Sequence, residues 1–218
     1  MWHDLKGTLG EAHGAVLDVG AGAQPYRELV SKGAEYRAID TSHARENFGY
    51  DIPDTQYFEG DVWPVDDSSI DLVISTETLE HVPDPDLFLR EARRVLNQDG
   101  CVLLTVPFSA RWHYVPHDYW RFTPSGLRMI LERAGFTDVI VHARGNEVTV
   151  AAAKCMALIL PLLMPQGDGL HLMRRAIGLV LSPVLVMLGI IGQRSLRHEG
   201  GDDCLGYTVF ARVGDAVL

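Results

Sequence analysis

The architecture is indicated first by the stretch Val16-Leu17-Asp18-Val19-Gly20-Ala21-Gly22. A short apolar run that stops at a glycine pair is typical of a buried parallel strand, and the glycines let backbone N–H groups approach a ligand closely. A dinucleotide fingerprint needs a third glycine three positions after Gly22, where this chain has Pro25, so a pyrophosphate site is disfavoured. Taken alone, the glycine pair favours a plain strand-to-helix turn.

Strand and helix patterns alternate along the rest of the chain. Helix starts are indicated by Pro25, Asp84-Pro85 and Thr123-Pro124, and helix ends by Gly100 and Gly135. This alternation predicts an α/β chain with a doubly wound, mostly parallel sheet. The predicted strands cover residues 15–19, 36–40, 56–58, 70–75, 102–106, 136–141 and 206–212.

Composition narrows the class of protein. The chain has 218 residues, 47% hydrophobic and 22% charged, which fits one α/β domain with an addition. A net charge of -10 disfavours a nucleic-acid partner, because the surface repels phosphates. Three cysteines suit a reducing compartment, and residues 1–15 lack the apolar core of a secretory signal. We therefore expect a cytoplasmic protein.

Acidic residues follow the early strands at informative spacings. Asp40 ends the second strand about 20 residues after Gly20, where a carboxylate can reach a ribose diol. Asp18 is placed to hold a cationic amine. After the third strand, Asp61 could bond an exocyclic amine while Val62 packs on a base. In isolation, Asp40 is more simply a solvated acid at a strand end.

Together these motifs resemble a known family. In order and spacing they are similar to the class I S-adenosylmethionine-dependent methyltransferases, in particular the small-molecule branch that includes the ubiquinone and menaquinone biosynthesis enzymes. The resemblance covers residues 15 to about 145 and resumes at the final strand, and the family's third loop glycine is replaced here by Gln24. It is carried by Val16–Gly22, Ile39-Asp40, Gly60-Asp61, Asp71–Ser75 and Leu79-Glu80-His81-Val82.

The resemblance implies a Rossmann-like sheet of seven strands, whose antiparallel last strand inserts between the fifth and sixth. It implies S-adenosylmethionine as cofactor, with Asp40 on the ribose and Asp61 and Val62 on the adenine. The methionine part would contact Asp18, Gly20, Ala21 and Gly22, and the sulfonium end would face Ser75, Thr76 and Glu77.

The loop after the fifth predicted strand, residues 107–122, carries polar and aromatic side chains together. A long loop at this edge of the sheet is where α/β enzymes build substrate pockets. Similar methyltransferases found among sugar and cell-surface polymer genes carry a segment much like Pro116–Thr123, which suggests a hydroxyl-bearing acceptor. A hydroxyl acceptor needs a base, and the candidates are His113, His117, Asp118 and His81.

Each of those assignments has a simpler alternative. The loop aromatics would then anchor the loop, Asp118 and Arg121 would pair at the surface, and Glu80 with His81 would organise a helix start. A metal site at His113 and His117 is rejected, because the sequence offers no third ligand.

An apolar insert, residues 148–197, interrupts the expected methyltransferase domain of residues 1–147 and 198–218. Its nearly uncharged runs are residues 155–163 and 176–192, with arginines on both sides of the second run. A single membrane crossing would separate the last strand from its sheet. Three interpretations remain: a helical hairpin on or in a bilayer at the inner face of a membrane, a homodimer interface, or extra core.

We therefore expect a methyltransferase, most simply one that methylates oxygen on a small or lipid-linked acceptor, with sugar-containing acceptors among the candidates. A non-catalytic cofactor-binding or membrane-docked partner protein is the alternative, because only about 15 residues precede the first strand. A nicotinamide-dependent oxidoreductase is disfavoured by Pro25 and by the Leu79–Val82 segment.

Overall fold

The computed structural model describes residues 1–49, 51–164, 171–198, 200 and 202–214. Short 3-10 turns cover Arg27–Leu29 and Leu79–His81. The helices are α1 (Trp2–Gly10), α2 (Ser42–Phe48), α3 (Pro85–Val95), α4 (Pro124–Arg133), α5 (Glu147–Leu163) and α6 (His171–Ser195). The strands are β1 (Gly14–Val19), β2 (Ala34–Thr41), β3 (Thr55–Phe58), β4 (Ile70–Thr76), β5 (Leu96–Pro107), β6 (Phe136–Arg144) and β7 (Gly206–Val213).

The seven strands form one sheet in the order β3-β2-β1-β4-β5-β7-β6. β1 pairs in parallel with β2 and β4, and β2–β3 and β4–β5 are also parallel. Gly214 donates to the Gly135 carbonyl and Leu205 to the Arg144 carbonyl, so β7 runs antiparallel to β6. The predicted mostly parallel sheet is confirmed, with the last strand between the fifth and sixth. Strand order reverses between β1 and β4, and ligands bind at such a switch point.

Helix α1 packs on one face of this sheet. Leu5 and Leu9 are fully buried against a cluster that includes Val16, Ile74 and Leu103. Spaced four residues apart, the two leucines lie on one helix face, and burying each contributes about 1.5–3 kcal/mol. The short segment before β1 thus supplies core, which the sequence analysis did not foresee.

Two helix boundaries predicted from the sequence are wrong. Pro25 is followed by a single 3-10 turn, because β2 begins at Ala34 and leaves no room for a long helix. Helix α3 ends at Val95 rather than at Gly100. Leu96 is fully buried and pairs with Ile70, so the chain enters β5 at once and Gly100 lies inside that strand.

The chain divides into two compact units, and the smaller comprises Phe108–Ala110 and Ala143–Gly206. Within it, α5 and α6 form an antiparallel hairpin. A Cβ added at Gly178 would lie 2.7 Å from the Leu162 carbonyl carbon, so the two helices approach closely there. At the other end, a Cβ at Gly192 would contact Ala152.

Asn146 joins the two open ends of this hairpin. Its side-chain oxygen accepts the N–H groups of Val148 and Thr149, which caps the start of α5. Its side-chain nitrogen donates to the carbonyl of Ser195 at 2.9 Å, the last residue of α6, and to that of His198 at 2.7 Å, three residues later. One amide therefore bonds backbone groups at the ends of both helices.

The outer face of α6 is apolar and exposed. Val180, Val186 and Leu179 are 77%, 63% and 60% exposed. Over the described residues, Leu172–Ser195 is the one helix long and apolar enough to cross a bilayer by length and composition. This exposure argues against the interpretation of the insert as extra core.

Candidate cofactor site and acceptor loop

The glycine loop lies at the switch point between β1 and β4. Gly20 has φ +70°, and a Cβ there would lie 2.5 Å from the Thr78 hydroxyl oxygen and closer still to the Thr78 methyl group. The N–H groups of Gly20 and Ala21 both donate to the Ile39 carbonyl at the end of β2. The loop is therefore held against the end of β2, and its backbone conformation at position 20 requires glycine.

Asp40 joins this loop to β2. Its Oδ2 accepts the Gly22 N–H at 2.9 Å, and its Oδ1 accepts the Thr41 N–H at 2.7 Å. The side chain is buried. The acid and the glycine pair that the sequence analysis assigned to one ligand thus lie in direct contact.

Asp18, near the end of β1, is buried with one carboxylate oxygen that accepts no hydrogen bond from the described residues. Its Oδ2 accepts the Tyr36 hydroxyl at 2.7 Å, whereas Oδ1 has no hydrogen-bond partner among the described residues. Burial raises the pKa of this carboxyl to about 7, partly offset by the Tyr36 hydrogen bond. An unsatisfied buried acceptor beside a glycine loop fits a ligand that carries an ammonium group.

The remaining residues assigned to the cofactor differ in their surroundings. The Ser75 hydroxyl is buried and donates to the Val19 carbonyl at 2.8 Å, so it holds β1 and β4 together. Thr76 and Glu77 are half-buried at the exit of β4, where Glu77 has φ +50°. Asp61 and Val62 are exposed, and within the described chain Asp61 has no hydrogen bond to the glycine loop.

Residues 111–122, which we call the acceptor loop, dock on the turn that follows β4. The N–H of Tyr119 donates to the Glu80 carbonyl at 2.9 Å, and the Trp120 indole donates to the Val82 carbonyl at 2.9 Å. His81 Nδ1 lies 2.7 Å from the His117 carbonyl, and the His81 and His113 rings meet edge to face at 5.0 Å. The fold brings the three candidate histidines to one place.

Asp118 is a poor proton acceptor in this arrangement. Its two carboxylate oxygens accept Arg121 guanidinium N–H groups at 2.6 and 2.8 Å, and its side chain is 1% exposed. The Arg121 hydrogen bonds lower the pKa of Asp118 to about 2. Asp118 also accepts the His113 backbone N–H and lies 3.2 Å from His113 Nδ1. The geometry makes it a positioning residue and argues against its predicted role as base.

Glu80 is a site residue that the sequence analysis did not single out as functional. It is fully buried beside His81, and burial raises the pKa of its carboxyl to about 8. Burial also disfavours the charged form of His81, and so lowers the pKa of its imidazole. In the sequence, the only indication of a role for Glu80 was its position directly before His81. The same Glu-His pair was also explained by the start of a helix.

The raised pKa of Asp18 predicts a pH dependence. Between about pH 4 and 7 the folded protein holds a proton that the unfolded chain releases, so stability falls as pH rises. Relative to Asp18→Asn, wild type should lose about 2–3 kcal/mol of unfolding free energy between pH 5 and 8, measured by urea denaturation. Parallel pH profiles for the two proteins would show that Asp18 titrates normally.

Comparison with known proteins agrees with this geometry. Residues 17–104 match a family model described as "Methyltransferase domain". A malonyl-[acyl-carrier protein] O-methyltransferase from Geobacter sulfurreducens is 30% identical over 151 residues, which cover 58% of this chain. The matched region spans 57% of that relative's length.

Solved structures show the same fold at low identity. Phosphoethanolamine N-methyltransferase 2 from Haemonchus contortus, in complex with phosphomonomethylethanolamine and S-adenosylhomocysteine, superposes with a TM-score of 0.56 at 15% identity, over 98% of this chain and 52% of that one. A possible histamine N-methyltransferase from Thermotoga maritima gives 0.57 at 14% identity, over 97% and 87%. As the motifs predicted, residues 17–104 of this chain are similar to a methyltransferase domain, and the fold is that of solved S-adenosylmethionine-dependent methyltransferases.

Proposed function

We propose that this protein methylates an oxygen atom of a small or lipid-linked acceptor. The methyltransferase part of the proposal rests on the hydrogen bond from the Gly22 N–H to Asp40. This bond joins a glycine loop and a strand-end acid at the switch point of the sheet. The similar Geobacter protein, named as an O-methyltransferase, supports oxygen as the accepting atom.

The chain's own residues fit the cofactor. S-adenosylmethionine, when bound, supplies an activated methyl group on a sulfonium centre. Asp18 would hold the ammonium group with its unsatisfied oxygen, and Asp40 would accept the ribose hydroxyls. Asp61 and Val62 would meet the adenine at the open edge, and Thr76 and Glu77 would line the sulfonium end. Ser75 would support the site through its bond to Val19.

His117 is the proposed general base. It is exposed on the acceptor loop, and its Nδ1 lies 3.1 Å from the Tyr119 hydroxyl, which leaves Nε2 for an acceptor proton. Its backbone carbonyl is held by His81. A base so placed removes the proton of a hydroxyl acceptor as the methyl group arrives, and such groups contribute roughly 10²–10⁴-fold.

Replacing His117 by alanine should therefore lower kcat by about 10²-fold or more while S-adenosylmethionine affinity stays within about twofold. The assay follows S-adenosylhomocysteine release with the best acceptor from a screen of sugars and lipid-linked sugars. His43→Ala, an exposed histidine on α2, is the matched control. An unchanged kcat in the His117 variant would remove the base assignment.

The α5–α6 hairpin supports a membrane-facing acceptor. The uncharged run Cys155–Leu163 is only about 13 Å long at 1.5 Å per residue, too short to cross a hydrocarbon core of roughly 30 Å. Arg174, Arg175, Arg194 and Arg197 border the apolar part of α6, which suits anionic headgroups. We propose that the hairpin docks on one leaflet of a membrane, the environment in which a lipid-linked acceptor would be found.

Vesicle sedimentation tests this docking. The triple variant Leu179→Ser, Val180→Ser, Val186→Ser should bind vesicles containing phosphatidylglycerol at least about tenfold more weakly than wild type. Met129→Ser with Ile140→Ser removes exposed apolar residues elsewhere and should bind as wild type does. Equal vesicle binding by the triple variant, or a change confined to dimerisation, would contradict membrane docking.

Methyl transfer itself is tested by incubating the protein with methyl-labelled S-adenosylmethionine and the same acceptor panel. Label in an acceptor, matched by one equivalent of S-adenosylhomocysteine, supports an enzyme. Tight cofactor binding without turnover of any acceptor would favour a non-catalytic partner protein.

A further inference from the structure

Three ligand-bearing side chains converge where the acceptor loop meets the turn after β4. Glu80, His81 and His113 each offer one donor atom, and these atoms all lie within 4.8 Å of one another. His81 Nε2 is 3.6 Å from Glu80 Oε1. Ligands around a bound Zn²⁺ lie roughly 3–3.5 Å apart, given metal–ligand distances near 2.1 Å. Small side-chain rotations would therefore close the cluster on an ion.

Glu80 provides an independent sign of a ligand. Its side chain is 0% exposed, and both carboxylate oxygens lack a hydrogen-bond partner in the part of the chain that the structure describes. The nearby guanidinium of Arg121 is already engaged by Asp118. A buried carboxyl group with both oxygens unbonded is costly in either protonation state, and a bound cation would satisfy it.

Both histidines are already oriented as metal ligands are. His81 Nδ1 lies 2.7 Å from the His117 carbonyl, which leaves its Nε2 toward Glu80. His113 Nδ1 lies 2.9 Å from the Arg111 carbonyl and 3.2 Å from Asp118 Oδ2. Metal-bound histidines typically donate their second N–H to a carbonyl or carboxylate in this way.

We propose that Glu80, His81 and His113 bind a divalent transition-metal ion. Two imidazoles and one carboxylate suit Zn²⁺, Mn²⁺ or Fe²⁺ better than Mg²⁺ or Ca²⁺, which prefer all-oxygen sites. His113 is 45% exposed, so an ion can enter from solvent. The ion would tie the acceptor loop to the exit of β4. This inference is independent of the proposed methyl transfer.

Calorimetric titration of the chelator-treated full chain with ZnCl₂ tests the site. Wild type should bind one equivalent of Zn²⁺, and MgCl₂ should bind at least about 100-fold more weakly. His113→Ala and the isosteric Glu80→Gln should each weaken Zn²⁺ binding at least about tenfold. His43→Ala, which removes an exposed histidine elsewhere, should bind as wild type does.

Thermal unfolding gives a second readout that needs no enzyme activity. Zn²⁺ should raise the Tm of wild type and of His43→Ala, and at the same Zn²⁺ concentration should raise the Tm of His113→Ala by clearly less. Because His113 lies on an exposed loop, this variant is expected to fold. No stoichiometric Zn²⁺ binding by wild type, or equal binding by His113→Ala and Glu80→Gln, would overturn the proposal.

Discussion

Replacing Asp40 by alanine is expected to weaken S-adenosylmethionine binding by roughly 10²–10⁴-fold. A carboxylate that accepts two ribose hydroxyls gives two charge-assisted hydrogen bonds of about 1.5–3 kcal/mol each. The substitution also removes the acceptor for the Gly22 N–H, which holds the glycine loop against β2. The first loss acts on the bound state and the second loosens the loop that binds the cofactor, so the effect should exceed that of any other single acid in the site.

The Asp40 variant is measured by calorimetry beside Asp99→Ala, which removes an exposed carboxylate near the start of β5. Circular dichroism and Tm establish that both variants are folded. The control should bind as wild type does. Equal affinity in Asp40→Ala and wild type would show that Asp40 does not contact the ribose.

Replacing Gly20 by alanine should lower the free energy of unfolding by about 2–5 kcal/mol. A left-handed backbone costs an L-residue roughly 1–2 kcal/mol, and forcing a methyl group into a filled space costs about 1–3 kcal/mol. Gly20 meets both conditions, with φ +70° and Thr78 in the space that a Cβ would take. Urea denaturation measures the loss, and cofactor affinity should fall with it.

Gly7→Ala is the matched control, because Gly7 lies within α1 with no atom within 4 Å of an added Cβ. That change should be neutral or stabilising by up to about 1 kcal/mol. Adding Thr78→Ser to Gly20→Ala should recover part of the loss, since it removes the clashing methyl group. Surface substitutions usually change the free energy of unfolding by no more than about 0.5 kcal/mol. A change of that size or smaller for Gly20→Ala would contradict this account of the loop.

The sheet was predictable because its central strands are short apolar runs ended by glycine or acid. The place of β7 between β5 and β6 followed from the family resemblance and not from local pattern. Helix α1 was not predicted because Leu5 and Leu9 are two leucines in a segment of mixed polarity, and their burial depends on the sheet face they meet. The predicted helix end at Gly100 was wrong because a glycine that follows a helix pattern can also lie inside a strand.

The candidate site also has a part that was predictable from the sequence and a part that was not. Asp18, Gly20, Gly22 and Asp40 lie on one loop and two adjacent strand ends, so chain order alone brings them together. The cluster of Glu80 with His113 depends on how a loop more than 30 residues later folds back, which no spacing rule reports. Asp118 shows the same limit, since its partnership with Arg121 decides whether it can accept a proton.

The most direct measurement is calorimetric titration of the purified protein with S-adenosylmethionine, S-adenosylhomocysteine and NAD. The account predicts micromolar binding of the first two, at one site per chain, and no binding of NAD. Binding of NAD alone would mean that the glycine loop serves a dinucleotide. Failure of all three to bind would contradict a cofactor site at Asp18, Gly20 and Asp40.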